Sequence, residues 1–342
     1  MREPLDIENV DSLREYVASR PDGARGIAAF RVLPGGVSSR TVWVALSDGD
    51  KWVLKQALPK LRVAMDWYSD PRRVHREALG LRCLETILPR GSVPGFVFED
   101  HERHLLAMRA VPEPHENWKS MLLAGRIDAD HARQFAEMLG RIHAGAAERR
   151  AELEPLFADR SYFESLRIEP YYACVAAREP GATRFLSELV SETRASRLTL
   201  VHGDYSPKNI LVHEGRLVLL DHEVMHWGDP AFDVGFALTH LLSKAHHRCS
   251  DRELLLSTAS AFWRDYARAI ERMAWSASLE RRAARHTVGC LLARVAGRSP
   301  LEYLDCAERS RQRDVSLAWM AEPPSTVERL IGDWREALLR DR

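Results

Sequence analysis

The chain has 342 residues, with 49 basic (Lys and Arg) and 49 acidic (Asp and Glu) side chains and therefore no formal net charge at pH 7. This balance excludes the strong field that favours nucleic acid or an anionic membrane as a partner, and the length allows two lobes. No apolar run approaches the roughly 20 residues of a spanning helix, and Met1–Asp6 lacks the apolar core of a signal peptide. The five cysteines have no C-x-x-C spacing, so we expect reduced thiols in a cytoplasmic protein.

The first part of the chain carries strand patterns. Arg31–Leu33 and Thr41–Leu46 flank a glycine-containing turn at Pro34–Ser39. A second turn, Ser47–Asp50, leads into a third strand at Lys51–Lys55. The order therefore predicts strand, glycine turn, strand, hairpin turn and strand.

The chain then changes from strand to helix and back. Apolar residues take helical spacing from Pro71 to Leu88, and strand patterns follow at Val93–Phe98 and His104–Met108. Pro112 and Pro114 interrupt regular structure directly afterwards, which is typical of a connection between two lobes.

The remainder of the chain is predominantly helical in pattern. Residues 155–196 mix aromatic residues with helical segments, and we expect a variable insertion there. The clearest helical patterns cover residues 129–149, 232–247, 251–272, 279–296 and 323–340.

The most informative motif runs from His202 to Asn209 and has the form H-x-D-x-x-x-x-N. A second apolar run ends at Asp221. This is the spacing of a phosphoryl-transfer catalytic loop, in which a carboxylate receives the proton of the attacking hydroxyl. Asp204 can fill that role, while the amide oxygen of Asn209 and the carboxylate of Asp221 can hold Mg²⁺ against the phosphates.

The region from His202 to Gly235 resembles the aminoglycoside phosphotransferase and choline kinase-like family, whose fold is similar to that of protein kinases. That family has H-G-D-x-x-x-x-N, then Asp-aromatic-Glu, then D-P-x-x-D. Here the second and third motifs read Asp221–Glu223 and Asp229–Asp233. His222 replaces the usual aromatic residue, whose role is mainly packing.

The resemblance is specific over residues 30–110 and 198–245. It implies an α+β, bilobal protein kinase-like fold. We expect a small β-rich N-lobe over residues 1–110 and a larger, mainly helical C-lobe over residues 111–342.

The resemblance implies nucleotide contacts in the N-lobe. Lys55 would reach the α- and β-phosphates, and Glu77 would fix it by an ion pair. Glu85 on the same helix is an alternative partner, and surface charges are the ordinary interpretation of all three residues.

The glycine turn and one later strand supply further nucleotide-binding candidates. Backbone N–H groups at Gly35, Gly36, Ser38 and Ser39 could cover the phosphates, because glycine permits close approach and positive φ. An ordinary hairpin turn is the alternative. Met108 is also a candidate for nucleotide contact.

In the C-lobe, Asp204 is the candidate catalytic base, with a turn or helix cap as the alternative. His202 is expected to be structural rather than a proton shuttle. Lys208 could neutralise the γ-phosphate or simply be solvated. Glu223 could support the metal, and the family resemblance implies that Asp233 anchors the loop through backbone N–H groups.

Other clusters carry weaker signals. Neither of two histidine groups has a standard zinc spacing; they are His240, His246, His247 with Cys249, and His213, His222 with His226. Several aromatic residues are predicted to pack in the core or on the surface rather than bind substrate: Trp118, Trp263, Tyr266, Tyr171 and Tyr172.

These observations predict a Mg²⁺-dependent kinase that uses ATP or GTP and phosphorylates a hydroxyl of a small molecule. The acceptor could be aminoglycoside-like, a sugar, an amino alcohol or a thiosugar. Glu302, Asp305 and Glu164 or Glu169 could bind ammonium groups, whereas many nearby arginines disfavour a polycation. The alternatives are a non-catalytic nucleotide-binding protein on the same scaffold and a magnesium hydrolase. The short link from Asp221 leaves no room for a protein-kinase activation loop.

Overall fold

The computed structural model describes residues 5–20, 26–34, 37–63 and 66–340. The chain divides into two compact units. The first unit contains residues 1–113 and Leu220–Glu223, and the second contains residues 114–219 and 224–342.

The first unit is built on a five-stranded antiparallel sheet in the order β1-β2-β3-β5-β4. Its strands are β1 (Ile27–Val32), β2 (Ser39–Leu46), β3 (Lys51–Ala57), β4 (Phe96–Asp100) and β5 (Leu105–Arg109). The predicted hairpin joins β2 to β3 through Gly49, whose φ of 94° is readily adopted by glycine. The predicted strand order is therefore confirmed.

Two helices accompany this sheet, α1 (Val10–Ala18) and α2 (Arg73–Ile87). The patterns did not predict α1, which begins after Asn9, whose side chain accepts N–H groups of the first turn. Leu13 and Val17 of α1 join the apolar core formed by Val44 and other sheet residues. The predicted helix α2 is confirmed within two residues at its start.

The second unit is mainly helical, which confirms the expected α+β class. Its helices are α3 (Trp118–Leu123), α4 (Ala129–Glu148), α5 (Arg150–Phe157), α6 (Ser161–Phe163), α7 (Cys174–Arg178), α8 (Thr183–Ala195), α9 (Pro230–His247), α10 (Arg252–Ala269), α11 (Ser276–Ala296), α12 (Cys306–Ala321) and α13 (Val327–Leu339). A π-helical segment, Glu164–Ala173, lies between α6 and α7.

The predicted catalytic motif, His202 to Asn209, lies between two short strands of the second unit. A three-stranded sheet has the order β6-β8-β9, and a two-stranded ladder pairs β10 with β7. These strands are β6 (His115–Asn117), β7 (Thr199–Val201), β8 (Ile210–His213), β9 (Arg216–Leu219) and β10 (His226–Gly228).

Helix α12 is the main element that the patterns missed. Only Gln312, Ser316 and Met320 are buried on it, so the apolar periodicity is weak. A capping box between Asp305 and Glu308 fixes its start.

Packing of α9 on α11 depends on a glycine. A Cβ at Gly235 would lie 2.5 Å from the Cβ of His286, so a larger residue would separate the two helices. In the described part of the chain, no disulfide joins the cysteines. Nor does any described helix have the length and apolarity needed to cross a membrane.

Candidate active site

In the first unit, Lys55 of β3 is held by two carboxylates. Its Nζ lies 2.7 Å from Oε1 and 2.9 Å from Oε2 of Glu77, and 2.9 Å from Oδ1 of Asp221. Glu85, the alternative partner, instead accepts the N–H of Phe96 at 3.2 Å. Three predicted site residues, Lys55, Glu77 and Asp221, are therefore brought together.

Burial and charge act in opposite directions on this group. Burial alone would lower the pKa of Lys55, but Asp221, Glu77 and Glu223 raise it above its ordinary value, so the amine stays charged. Burial raises the pKa of Glu77 to about 7. The charge of Lys55 acts to lower this pKa, and the charges of Asp221 and Glu223 act to raise it. The site is thus rich in negative charge around one ammonium group.

Glu223 extends this cluster and is itself held by an arginine that sequence reasoning missed. Carboxylate oxygens of Glu77, Asp221 and Glu223 all lie within 4.8 Å of one another. Arg73 is fully buried and its Nε lies 3.0 Å from Oε2 of Glu223. A signal for Arg73 existed, because it stands four residues before Glu77 and therefore shares its helix face.

Arg73 also fixes the backbone around the glycine turn. Its guanidinium donates to the carbonyls of Ser69 and Leu58, at 3.1 and 2.9 Å, and to the carbonyl of Ser38. Ser38 additionally accepts the N–H of Leu58 at 3.0 Å. Its carbonyl is therefore engaged by the protein.

Two of the other residues predicted to contact the nucleotide, Ser39 and Met108, lie on strands of the first unit. Ser39 begins β2 and is 3% exposed, and Met108 lies opposite Val53 in the sheet and is 5% exposed. Gly35 and Gly36 lie outside the described residues.

Asp221 has a φ of 69°, in the left-handed region that non-glycine residues seldom adopt. Such strain persists only where surrounding interactions enforce it, and it concentrates at functional sites. Its contact with Lys55 is one such interaction. The hard carboxylate oxygens around Asp221 are a donor set that suits Mg²⁺.

The predicted catalytic loop in the second unit is anchored by Asp233 of α9. Its carboxylate accepts the N–H groups of His202 and Gly203, at 2.6 and 2.7 Å. His143 contacts the same carboxylate at 3.2 Å. Burial alone would raise the pKa of Asp233, but the interactions with His143 and His202 hold it below its ordinary value. The expected anchoring role of Asp233 is confirmed.

Gly203 is required by this geometry. Its φ is 79°, and a Cβ there would lie 3.0 Å from both the carbonyl oxygen and Cγ2 of Val224. The second residue of the H-G-D motif therefore has both a conformational and a steric reason to be glycine.

Asp204 is engaged on both carboxylate oxygens. Arg167 lies 3.0 Å from Oδ1, and the side-chain amide of Asn209 donates to Oδ2 at 2.8 Å. Asn209 also donates to the backbone carbonyl of Asp204 at 2.9 Å. The motif therefore brings Asp204 and Asn209 together.

Arg167 was missed by sequence reasoning. It lies in the π-helical segment, is 7% exposed, and donates its Nε–H to the carbonyl of Gly203 at 2.7 Å. No periodicity or motif marks this position, because a π-helical segment containing Pro170 disrupts the 3.6-residue pattern.

The remaining loop residues have supporting positions. The Nδ1 of His202, which is buried, accepts the N–H of Asp204 at 3.2 Å. Lys208 is exposed, and its carbonyl accepts the side-chain amide of Asn117 at 2.7 Å. The aromatic residues predicted to pack in the core or on the surface are all buried: Trp118, Trp263, Tyr266, Tyr171 and Tyr172.

The acids considered for a cationic acceptor already have partners. Glu164 pairs with Arg194 at 2.7 Å, and Glu169 lies 3.3 Å from Arg298. Glu302 contacts Lys119. Asp305 accepts the N–H of Glu308 as the cap of α12. None of these acids is arranged as an unengaged ammonium-binding group within the described residues.

One family profile and several known proteins match this chain. A profile described as the phosphotransferase enzyme family matches residues 29–276. Methylthioribose kinase 2 of Oryza sativa subsp. japonica is 24% identical over 259 residues, which cover 65% of this chain and 60% of that protein. The methylthioribose kinase of Yersinia enterocolitica is 27% identical over 215 residues, covering 56% and 53% of the two chains. The chain therefore spans under two thirds of the length of these relatives.

Solved structures share the fold across most of the chain. A choline/ethanolamine kinase family protein from Mesorhizobium loti superposes with a TM-score of 0.53 at 15% identity, covering 95% of this chain and 99% of that chain. An amicoumacin kinase in complex with AMP-PNP, Ca²⁺ and its antibiotic gives a TM-score of 0.58 at 13% identity, covering 92% and 94%. The expected protein kinase-like fold is confirmed.

Proposed function

The chain belongs to the phosphotransferase enzyme family, and on that basis we propose that it is a kinase for small-molecule alcohols. It would transfer the γ-phosphoryl group of a nucleoside triphosphate to a hydroxyl group. The observation that carries this proposal is the contact of Lys55 with both Glu77 and Asp221. A fixed ammonium group beside strong oxygen ligands is what a nucleotide–metal complex requires.

Lys55 would bind the α- and β-phosphates, with Glu77 holding its position. Asp221 and Asn209 are the proposed Mg²⁺ ligands, and Glu223 would support Asp221. When bound, the metal would neutralise charge that develops on the phosphate oxygens. Lys208 is retained as a candidate for the γ-phosphate.

Asp204 would orient the acceptor hydroxyl and receive its proton. In a loose phosphoryl-transfer transition state the alcohol proton leaves late, so orientation accounts for a large part of this role. The contacts of Asp204 with Arg167 and Asn209 support the proposal because they fix both carboxylate oxygens.

The acceptor would be a sugar-like alcohol rather than a polycation. The methylthioribose kinases among the relatives favour a sugar-like alcohol. The acids that could have bound ammonium groups are paired or used as caps. ATP as the main donor and a cytoplasmic location remain predictions.

The test is a screen of purified protein with ATP or GTP and Mg²⁺ against sugars, thiosugars, amino alcohols and aminoglycosides. The measured quantity is nucleoside diphosphate formed in response to each acceptor. Acceptor-dependent turnover is expected. Nucleotide binding without turnover on any alcohol would favour a binding protein, and acceptor-independent phosphate release would favour a hydrolase.

A further inference from the structure

Basic side chains are concentrated inside the second unit, next to the loop that carries Asp204. Lys244 is fully buried, and His240, Arg167 and Arg294 are 4%, 7% and 8% exposed. Burying a positive charge is costly unless negative groups or several acceptors compensate it. The partners of each cation therefore indicate whether a negative ligand is missing.

Lys244 lies in α9 and has no counter-ion among the residues that the structure describes. Its Nζ donates to the carbonyl of His240 at 3.2 Å and lies 5.3 Å from the ring centre of Tyr303. Among the described residues, no carboxylate oxygen comes within 4.0 Å of this Nζ. Burial, reinforced by the charge of Lys119, lowers the pKa of Lys244 to about 7. A single backbone carbonyl is weak compensation for a buried ammonium group.

Arg294 of α11 is also incompletely satisfied. It donates to the hydroxyl of Tyr171 at 3.1 Å and to Oγ and the carbonyl of Ser299. Within the described part of the chain, its Nε and the hydroxyl of Tyr303 have no hydrogen-bond partner. Lys244 and Lys119 lie 5.3 and 5.9 Å from the ring centre of Tyr303, which assigns them to one cluster. The charge of Arg294 acts on Lys244 and on Tyr303 as well.

This cluster is continuous with Asp204. Arg167 contacts Asp204 at 3.0 Å and lies 5.7 Å from the ring centre of Tyr171. Arg294 lies 5.6 Å from the same ring. The Tyr171 ring also stacks on Phe236 of α9, one turn before His240. Contacts therefore run from Asp204 through Arg167 and Tyr171 to Arg294.

Negative charge in this region is scarce. Glu302 is engaged by Lys119, and Asp204 is engaged by Arg167. Burial and the charges of Lys244 and Arg294 lower the pKa of His240, so it adds no positive charge near neutral pH. Arg294, and Lys244 below a pH of about 7, carry a positive charge that forms no ion pair with a described carboxylate.

We propose that Arg167, Arg294, Lys244 and Lys119, called here the cationic cluster, bind an oxyanion on the acceptor, which is therefore an anionic alcohol. The inference rests on the proposed function, because it assigns the substrate class of the same site. A planar guanidinium pairs well with a carboxylate or phosphate, and a lysine supplies a compact point charge. A polycation would face repulsion from the same groups.

The reaction is balanced without any further reactant. The acceptor hydroxyl oxygen forms a bond to the γ-phosphorus, and the bond from that phosphorus to the β–γ bridging oxygen breaks. The hydroxyl proton passes to Asp204 and then to solvent. The products are a nucleoside diphosphate and a phosphate ester that carries a second anionic group.

Binding can be tested independently of turnover. The melting temperature is measured with sodium sulfate or phosphate against sodium chloride at equal ionic strength, in wild type, Lys244→Met, Arg294→Gln, Lys55→Met and Arg268→Met. Arg268 is the matched control, because it is an exposed arginine of the same unit paired with Asp265. Lys55→Met removes the lysine that would bind a sulfate or phosphate ion at the proposed nucleotide site.

All variants share the general stabilisation by sulfate and phosphate, which are excluded from the protein surface. We expect these anions to raise the melting temperature of wild type, Arg268→Met and Lys55→Met by more than that of Lys244→Met or Arg294→Gln. Lys244→Met should also melt higher than wild type in chloride, because the methionine side chain has a similar volume but no uncompensated buried charge. The proposal would be overturned if Lys244→Met and Arg294→Gln responded to the anions as strongly as wild type. It would also be overturned if only Lys55→Met lost the response.

Turnover then distinguishes the source of the oxyanion. The matched pairs are glycerate with glycerol, gluconate with glucose, and glycerol phosphate with glycerol. We expect kcat/KM to be at least about tenfold higher for an anionic member, which corresponds to about 1.4 kcal/mol. Preference for gluconate or glycerate assigns a carboxylate, and preference for glycerol phosphate assigns a phosphate. Turnover without preference for either anion would overturn the inference and leave the kinase proposal intact. Specific sulfate binding without turnover on any alcohol would overturn the kinase proposal instead.

Discussion

At the scale of single residues, the first unit concentrates carboxylates around one amine. Glu77 contacts Lys55 with both oxygens, yet its own environment is so buried and negative that its pKa rises to about 7. This arrangement stabilises the charged form of Lys55 and destabilises the anionic form of Glu77. Such opposed effects are typical of sites prepared for a cation or a phosphate.

This arrangement predicts a pH-dependent stability. The folded-state pKa of Glu77 lies above its ordinary value of 4.5, so its favourable contribution is complete below about 4.5 and is lost as the pH rises through about 7. The unfolding free energy of wild type minus that of Glu77→Gln should therefore decrease as the pH rises over that range, by up to about 3 kcal/mol. Denaturant unfolding at several pH values measures it.

Glu85→Gln is the matched control, because Glu85 lies on the same helix and is exposed. Its stability difference from wild type should not follow the same curve. An increase of the Glu77→Gln difference with pH would contradict the account, since it would mean that the ionised pair with Lys55 dominates.

Arg73 gives a second prediction at the residue scale. It is fully buried and paired with Glu223, so Arg73→Met leaves a carboxylate without its partner. Removing one member of a buried pair costs about 3–5 kcal/mol, which should appear as a lower denaturation midpoint. Arg72→Met is the control, because Arg72 is exposed and pairs with Asp70, two residues away in the chain. Equal effects of the two substitutions would show that Arg73 has no special role.

Sequence reasoning identified the motif residues and missed their supporting partners. Asp204, Asn209 and Asp221 stand in a motif of fixed spacing, and the family resemblance implies Lys55 and Glu77. Arg73 shares a helix face with Glu77, but its contact with Glu223 joins residues distant in the chain. The contact of Arg167 with Asp204 is likewise tertiary, and no sequence pattern records it.

At the scale of elements, the loop after β7 depends on backbone conformation. Gly203→Ala is expected to lower kcat by at least about tenfold, since strain at a positive φ costs about 1–3 kcal/mol and the added Cβ meets Val224. Gly215→Ala is the control, with a φ of 73° but no atom within 4 Å of the added Cβ. Similar activity in both variants would contradict the steric account, and steady-state kinetics measures it.

The helix α9 links the loop to the cationic cluster, and this predicts a second pH effect. The groups that face Lys244 are His240 on its own helix, Lys119 of α3, Arg294 of α11, and Glu302 and Tyr303 before α12. The pKa of Lys244 is about 7, so its positive charge is present below that pH and declines above it. Sulfate affinity should therefore fall between pH 6 and 8 in wild type.

Titration of sulfate binding by melting temperature or calorimetry at these pH values measures the effect. In Lys244→Met the dependence should be absent. A sulfate affinity that stays constant across the range in wild type would contradict the role given to Lys244.

Element prediction succeeded where periodicity was strong. The strands β2, β3 and β5 and the helices α2, α4, α9 and α11 follow their patterns closely. Strand β1 begins at Ile27, before the predicted Arg31, and β4 begins at Phe96, after the predicted Val93. Helix α12 and the π-helical segment were not predictable, because one is predominantly polar and the other breaks the helical period at Pro170. Helix α1 owes its stability to packing on the sheet, which local sequence does not reveal.

At the scale of the whole molecule, the chain returns to the first unit for only four residues, Leu220–Glu223. This short return places Asp221 beside Lys55 and Glu223 beside Arg73. The apolar run that ends at Asp221 predicts a functional acid. Its membership in the unit formed mainly by the first 113 residues follows from tertiary contacts alone.

The central claim is that Asp204 directs a γ-phosphoryl group onto an alcohol. The most direct measurement is ³¹P NMR of ATP, Mg²⁺ and pooled alcohols with wild type and with Asp204→Asn. The account predicts a phosphate-ester resonance that grows as the γ resonance declines, and a rate lower by about 10²–10⁴-fold in the variant with unchanged nucleotide affinity. Appearance of the γ-phosphorus only as inorganic phosphate, or an equal rate in Asp204→Asn, would contradict it.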